Sequence, residues 1–300
     1  MKSPSPTSWS EYVISSLVKI SGYSAIIFLT LIFLFLLRSG LPTLREVDFQ
    51  SLFGTRWYPI EYYFGLLPLI GGTLIVTVGA AIIAIPFGIG TAIYIAEIAP
   101  NSVKELLKPL VEVLGGLPSV VLGFIGFLIL APYIRRVLNL PTGLSALTGS
   151  LLLAAISLPT IVSIAEDAID AVPQSYRDAA LALGATDWQT IWLVTLPAAK
   201  SGVVTAVMLG IGRAIGETMT VMMVTGNAAV IPRGLSALFA PARTMTATIA
   251  AEMGEVATGS VHYHVLFFIG IVLFLISLLV NVIASTVIFR QKKRSERILS

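Results

Sequence analysis

No cysteine occurs among the 300 residues, which removes disulfides, thiol nucleophiles and cysteine metal sites together. Charge is scarce as well. Asp, Glu, Lys and Arg make up 12% of the chain, where a soluble domain carries about 25%. A water-facing surface cannot be built from that little charge. There is no Gly-x4-Gly-Lys-Ser/Thr loop and no Gly-Lys dipeptide at all, so the chain does not cradle ATP itself. Histidine is limited to His262 and His264. With no other ligand type nearby in sequence, they read as a solvated loop end rather than a metal site.

What is present is apolar. Hydrophobic residues make up 56% of the chain, and the mean hydropathy is +0.91. The apolar residues gather in runs long enough to cross a bilayer, each needing about 20 residues. Six spans are expected, at 20–37, 66–95, 110–130, 144–164, 203–224 and 265–289. They should be helices, because lipid cannot satisfy an irregular backbone and the alternating faces of a barrel strand are missing. The first run is followed by Arg38-Ser39-Gly40-Leu41-Pro42 rather than a small-x-small cleavage site, so it reads as a retained span. The second is over-long and carries Pro86, which predicts a kink or strong tilt. Gly115-Gly116-Leu117-Pro118 should bend the third.

Lys and Arg counting orients the chain. With the N-terminus inside, eleven fall in inner segments, seven in outer ones, and Arg213 lies within a span. The basic run from Arg290 to Arg297 is the strongest cluster. Both termini are therefore expected in the cytoplasm: a tail at 1–19, a membrane domain at 20–289 with its core at 66–289, and a basic tail at 290–300. Outside, Trp57, Tyr58, Tyr62, Tyr63 and Phe64 suit an interfacial belt. The connection 228–264 is long and mildly apolar, consistent either with folding back against the membrane or with a docking face.

Two constellations carry chemistry. Arg213 and Glu217 sit mid-span, where an Arg costs roughly 2.5–3.5 kcal/mol even on a permissive scale. On a continuous helix they share a face and can pair. Arg213 offers a planar fork that matches an oxyanion, and Glu217 can accept a hydrogen bond from a protonated one. A buried pair that only fixes helix packing is the plainer reading. The second constellation is the inner segment 173–197. Pro173 suits a helix start, and a short helix is expected over Gln174–Leu183. Gly184 ends it cheaply, and a second short helix, Trp188–Val194, should stop before Pro197. The result is a helix–turn–helix elbow parallel to the membrane.

That elbow resembles the coupling loop of ABC importer permeases, Glu-Ala-Ala-x3-Gly-x9-Ile-x-Leu-Pro. Asp178-Ala179-Ala180, Gly184, Val194, Leu196 and Pro197 keep every spacing, with Asp for Glu and Val for Ile. Further segments resemble the PstC-type permeases of phosphate importers: Gly71-Gly72-Thr73-Leu74, Ile85-Pro86-Phe87-Gly88, Ala92 to Glu97, Glu112 to Val121 and Gly212 to Val221. Gly116 departs from the Ala usual there. The resemblance covers about 60–285.

It implies an all-α polytopic fold of the type I ABC importer (MetI-like) kind, located in the bacterial inner membrane. It also implies a translocation subunit rather than an enzyme, with no cofactor of its own and with ATP and Mg held by partner subunits. Those partners would be a PstA-like sister permease, two PstB-like ATPases at the elbow and a PstS-like phosphate-binding protein outside. Membrane lipid surrounds such a chain, and nucleic acid plays no part. Against this stand an ion-gradient transporter, which has no use for the elbow spacing, and a non-transporting scaffold, which has no use for Arg213 and Glu217.

Overall fold

The computed structural model describes residues 9–299, with side chains described for 12–283 and for 286. Residues 1–8, Ser300 and the side chains of the basic run from Arg290 to Arg297 lie outside the described residues. Six helices are long and apolar enough to span a membrane. In chain order the helices of six or more residues are α1 (Trp9–Gly40), α2 (Leu67–Ile98, closing in a wide π turn over Tyr94–Ile98), α3 (Asn101–Gly116), α4 (Ser119–Val137), α5 (Ala146–Asp170), α6 (Gln174–Ala182), α7 (Asp187–Gly216), α8 (Met219–Val224), α9 (Met245–Glu252) and α10 (Val261–Leu299). The spans are α1, α2, α4, α5, α7 and α10.

The centre of the bundle is α5, packed on α2 along one side and on α7 along the other. Three apolar clusters follow one another down α2. Leu69 joins the outermost, with Trp57, Phe64, Met245 and Leu266. Val76, Ala80 and Ala84 join the middle one, and Ala92, Ile93 and Ala96 the inner one. Spans meet closely because small residues line the seams, the arrangement expected where lipid competes for every apolar surface. Ile161 of α5 lies between Gly88 of α2 and Gly210 of α7, and a Cβ on either glycine would collide with it. By contrast, none of the most apolar stretch of α1 is buried. Among the spans it rests mainly against α10, through pairs such as Phe33–Phe274 at 4.8 Å between ring centres.

Several expectations change. The third span is α4, starting at Ser119 rather than at 110. Residues 101–116 form a separate helix whose Lys104, Glu105, Lys108 and Glu112 give it a polar side, and Leu117-Pro118 ends it. The fifth span starts at Asp187 and stops at Gly216, so 217–224 is not its continuation. The second elbow helix does not stop before Pro197. It widens into a π turn over Ile191–Thr195 and runs on through Pro197, near the start of the next α-helical turn, where the proline's missing amide is absorbed.

The connection 228–264 folds back onto the bundle. Helix α9 packs on α2 and α10, and the Met245 amide donates to Thr73 Oγ1 at 3.0 Å. The histidines are not solvated loop ends. They open α10 and each meets a carboxylate, His262 with Glu252 at 2.7 Å and His264 with Glu46 at 2.8 Å. Glu252 also accepts from Trp57 Nε1 and pairs with Arg243. Trp57 and Phe64 face each other across the small antiparallel hairpin Trp57–Tyr58/Tyr63–Phe64 and are buried, while Tyr58, Tyr62 and Tyr63 stay exposed as interface anchors would.

Candidate functional site

Two interruptions lie side by side in the bundle. The first separates α3 from α4 at Leu117-Pro118, where proline denies the preceding turn an amide. The second separates α7 from α8 at Glu217, whose backbone is extended (φ −68°, ψ 131°). Thr220 at the start of α8 bonds through its hydroxyl to the Ser119 carbonyl at 2.8 Å. Gly123 of α4 lies so close to Thr220 and Met223 that a Cβ there would be crowded at 3.0 Å or less.

Arg213 and Glu217 stand on either side of the second break, and they do not pair. The helix expected to present them on one face has ended at Gly216, so the four-residue spacing no longer sets their directions. Arg213 Nη1 donates to Thr160 Oγ1 of α5 at 3.1 Å, and Nη2 donates to the Gly115 carbonyl at 3.3 Å. Gly115 belongs to the last turn of α3, where carbonyls have no helical partner and a cation is favoured by the helix dipole. Both acceptors are neutral and part of the guanidinium's fork stays open, so its charge is uncompensated. Arg213 is exposed along the side of the bundle. A charge placed there at span level points to a partner chain or a wet path rather than to lipid.

Glu217 is half-buried, and its Oε1 accepts from the amides of Thr218 and Thr220 at 3.2 Å each, closing the start of α8. Its backbone carbonyl, freed by the break, accepts from Thr246 Oγ1 of the folded-back α9 at 3.0 Å. The irregular backbone is thus satisfied from within the protein, the condition for tolerating it at membrane depth.

The elbow is built by two local devices. At the end of α6 the Gly184 amide bonds to the Leu181 carbonyl at 2.9 Å and the Ala185 amide to the Ala180 carbonyl at 3.1 Å, with Gly184 at φ +85°. Thr186 and Gln189 then exchange side-chain and backbone bonds in a capping box that starts α7. Ala180 is buried, Asp178, Ala179, Gly184 and Pro197 are exposed, and Val194 and Leu196 are half-buried. A run of bare apolar side chains surrounds the turn: Leu183, 90% exposed, with Trp188, Trp192 and Leu193. No described part of the chain covers them.

Sequence reasoning missed the residues that fasten the elbow and α3 to the bundle. Glu97, Glu166 and Asp170 lie near the ends of apolar runs, where a carboxylate in solvent is common. In the structure Arg177 pairs with Glu97 at 2.6 Å and Lys108 with Glu166 at 2.6 Å, with Asp170 3.9 Å from the same lysine. The one available signal was that carboxylates near apolar spans need partners.

A six-span bundle with broken helices, an unpaired arginine beside the breaks and a rigid elbow at one end defines a membrane translocation subunit. Residues 84–294 match the family described as binding-protein-dependent transport system inner membrane component, and the chain belongs to that family. As a permease component it moves a solute and is not an enzyme.

Relatives agree. The chain is 44% identical over 232 residues to the probable ABC transporter permease protein YqgH of Bacillus subtilis, covering 77% of this chain and 74% of that one. It is 35% identical over 271 residues to the phosphate transport system permease protein PstC of Mesorhizobium japonicum, covering 84% and 82%. Against PstC of Pasteurella multocida the figures are 33% over 294 residues, 89% and 90%. Among solved structures, an inward-facing MetNI methionine ABC transporter matches with a TM-score of 0.60 at 17% identity, over 79% of this chain and 99% of that one. A bacterial alginate ABC transporter matches at 0.59 and 14%, over 93% and 96%. At such identities they speak for the fold alone, and that fold is the MetI-like importer permease.

Proposed function

We propose that the chain forms half of the translocation pore of an ATP-driven phosphate importer, beside a PstA-like sister permease. PstB-like ATPases would bear on the elbow and a PstS-like phosphate-binding protein on the outer face. ATP and Mg would be held on the ATPases. The observation that carries the reading is Arg213: a guanidinium bonded only to neutral oxygens, beside two helix breaks, in a chain whose relatives at 33–35% identity are phosphate permeases.

In that role Arg213 supplies a charge-assisted fork to the passing anion. Glu217, half-buried, favours an anion that carries a proton to donate. Hydrogen phosphate has that proton at neutral pH and sulfate does not. The exposed apolar residues around Gly184 suit a groove on an ATPase, and both termini would lie on the ATPase side, at the cytoplasmic face of a bacterial inner membrane.

The test is to co-express the chain with candidate sister, ATPase and binding subunits, purify through this chain, and reconstitute into liposomes. Phosphate uptake that needs both ATP and binding protein is expected. A complex that assembles and hydrolyses ATP without moving phosphate would overturn the substrate.

A further inference from the structure

Arg177 immediately precedes the Asp178-Ala179-Ala180 triplet, yet its side chain turns away from the exposed face of the elbow and into the protein. It is 13% exposed and its partner Glu97 is 10% exposed. Nε donates to both oxygens of Glu97, at 3.1 and 3.2 Å, and Nη2 donates to Oε1 at 2.6 Å. The remaining bonds go to backbone: Nη1 to the Val172 carbonyl at 2.6 Å and Nη2 to the Ile169 carbonyl at 3.0 Å. The Ile169 carbonyl lies in the last turn of α5, where it also accepts from the Val172 amide at 3.2 Å, and the Val172 carbonyl lies just past the helix end. Glu97 sits in the π turn that closes α2. One planar cation therefore holds three elements: the end of α2, the end of α5, and α6.

Only Ala171, Val172 and Pro173 join α5 to α6. Pro173 has an extended backbone (ψ 136°), so this connection by itself would let α6 swing. Arg177 removes that freedom. It does so with a fork whose five hydrogen bonds reach three acceptor groups, a job lysine cannot do with a single nitrogen.

We propose that Arg177 is a positioning residue that transmits displacement of the elbow to the inner ends of α2 and α5, with Glu97 as its fixed counterpart. The proposal rests on the elbow being the segment on which an ATPase bears. A load on α6 is then shared by two spans whose ends beside the elbow pack in one apolar cluster, Ala92, Ile93 and Ala96 of α2 with Ala165 and Ile169 of α5. Without Arg177 the same load bends the 171–173 connection, and ATP is spent with little movement of the spans.

The experiment measures phosphate uptake and ATP hydrolysis in the same liposomes, for the complete complex with its binding protein. For Arg177→Lys, phosphate moved per ATP hydrolysed should fall on the order of tenfold, within the usual range of coupling energies. The ATPase should still co-purify and still hydrolyse ATP. Glu97→Gln keeps an acceptor for the fork and should lose less. A merely structural role predicts something else: uptake and hydrolysis falling in the same proportion, or neither changing. Either result overturns the proposal. If Arg177→Lys fails to assemble, Glu97→Gln decides by the same ratio. Wild-type vesicles that show no ATP-dependent phosphate uptake would instead count against the importer reading.

Discussion

The hydroxyl of Thr220 donates to the carbonyl oxygen of Ser119 at 2.8 Å, joining the start of α8 to the start of α4. Thr220 is fully buried. Thr220→Val keeps the shape and removes the bond, so the complex should lose about 1 kcal/mol locally, seen as a lower unfolding temperature in detergent. Thr220→Ser should restore it. An unchanged melting point in Thr220→Val would mean that the two breaks are held by packing alone.

Arg213 and Glu217 bond to different partners, and their variants should not compensate for one another. Arg213→Lys retains charge without the fork, and uptake should drop about tenfold or more with assembly intact. If Arg213→Ala and Glu217→Ala are each inactive, the double variant should be inactive too. Recovery in the double would mean that the residues pair during transport. Glu217→Gln can still accept from the Thr218 and Thr220 amides, so the fold should hold while discrimination against sulfate weakens.

Gly184 has φ +85° and open space around the position a Cβ would take. The cost of substitution there is one of backbone strain, about 1–2 kcal/mol for a residue forced into the left-handed region. Gly184→Asn should be tolerated and Gly184→Leu should loosen the ATPase in pull-down while membrane insertion stays normal. Equal behaviour of the two would exclude the strain explanation.

The hydrogen bond to Glu166 raises the pKa of Lys108 above 10.5, against a smaller opposing effect of burial. A raised lysine pKa stabilises the fold fully below the ordinary lysine value and is lost as pH climbs through the raised one. The α3–α5 contact should therefore be insensitive between pH 6 and about 9 and weaken in strong alkali. Lys108→Met strands the Glu166 carboxylate, only 6% exposed, and should lower thermal stability across the neutral range. Lys108→Arg should not. Melting curves of the three proteins at several pH values check this.

The absence of cysteine makes topology measurable. Ser236→Cys, in the exposed outer connection, should react with an impermeant thiol reagent on intact spheroplasts. Leu183→Cys on the elbow should react only after the membrane is opened. The reverse pattern would invert the orientation.

The six spans were legible because apolar runs of that length have no other explanation. Their edges were legible only where chemistry marked them. Leu110 to Leu114 merges with the apolar run after Pro118, which drew the third span too early. The alternating charges from Lys104 to Glu112 were the contrary signal. The break at Glu217 has only Gly216 to announce it, and a glycine inside a helix is common enough to pass. Arg213 and Glu217 were found because charge in an apolar span is costly, but their directions depend on that break. Arg177 and Glu97 are distant in sequence, and nothing local couples them.

The packing of α1 on α10 also orders events during synthesis. α1 is made first and α10 last, with about 220 residues between them, a wait on the order of 10–40 s at typical ribosome speeds. Until then Phe33 and Phe35 lack their aromatic partners, which suits a helix whose most apolar stretch is unburied even in the finished chain. The arrival of Phe267, Gly270 and Phe274 then captures the waiting helix. A chain cut short before α10 would leave α1 inserted but without the largest of its helix contacts.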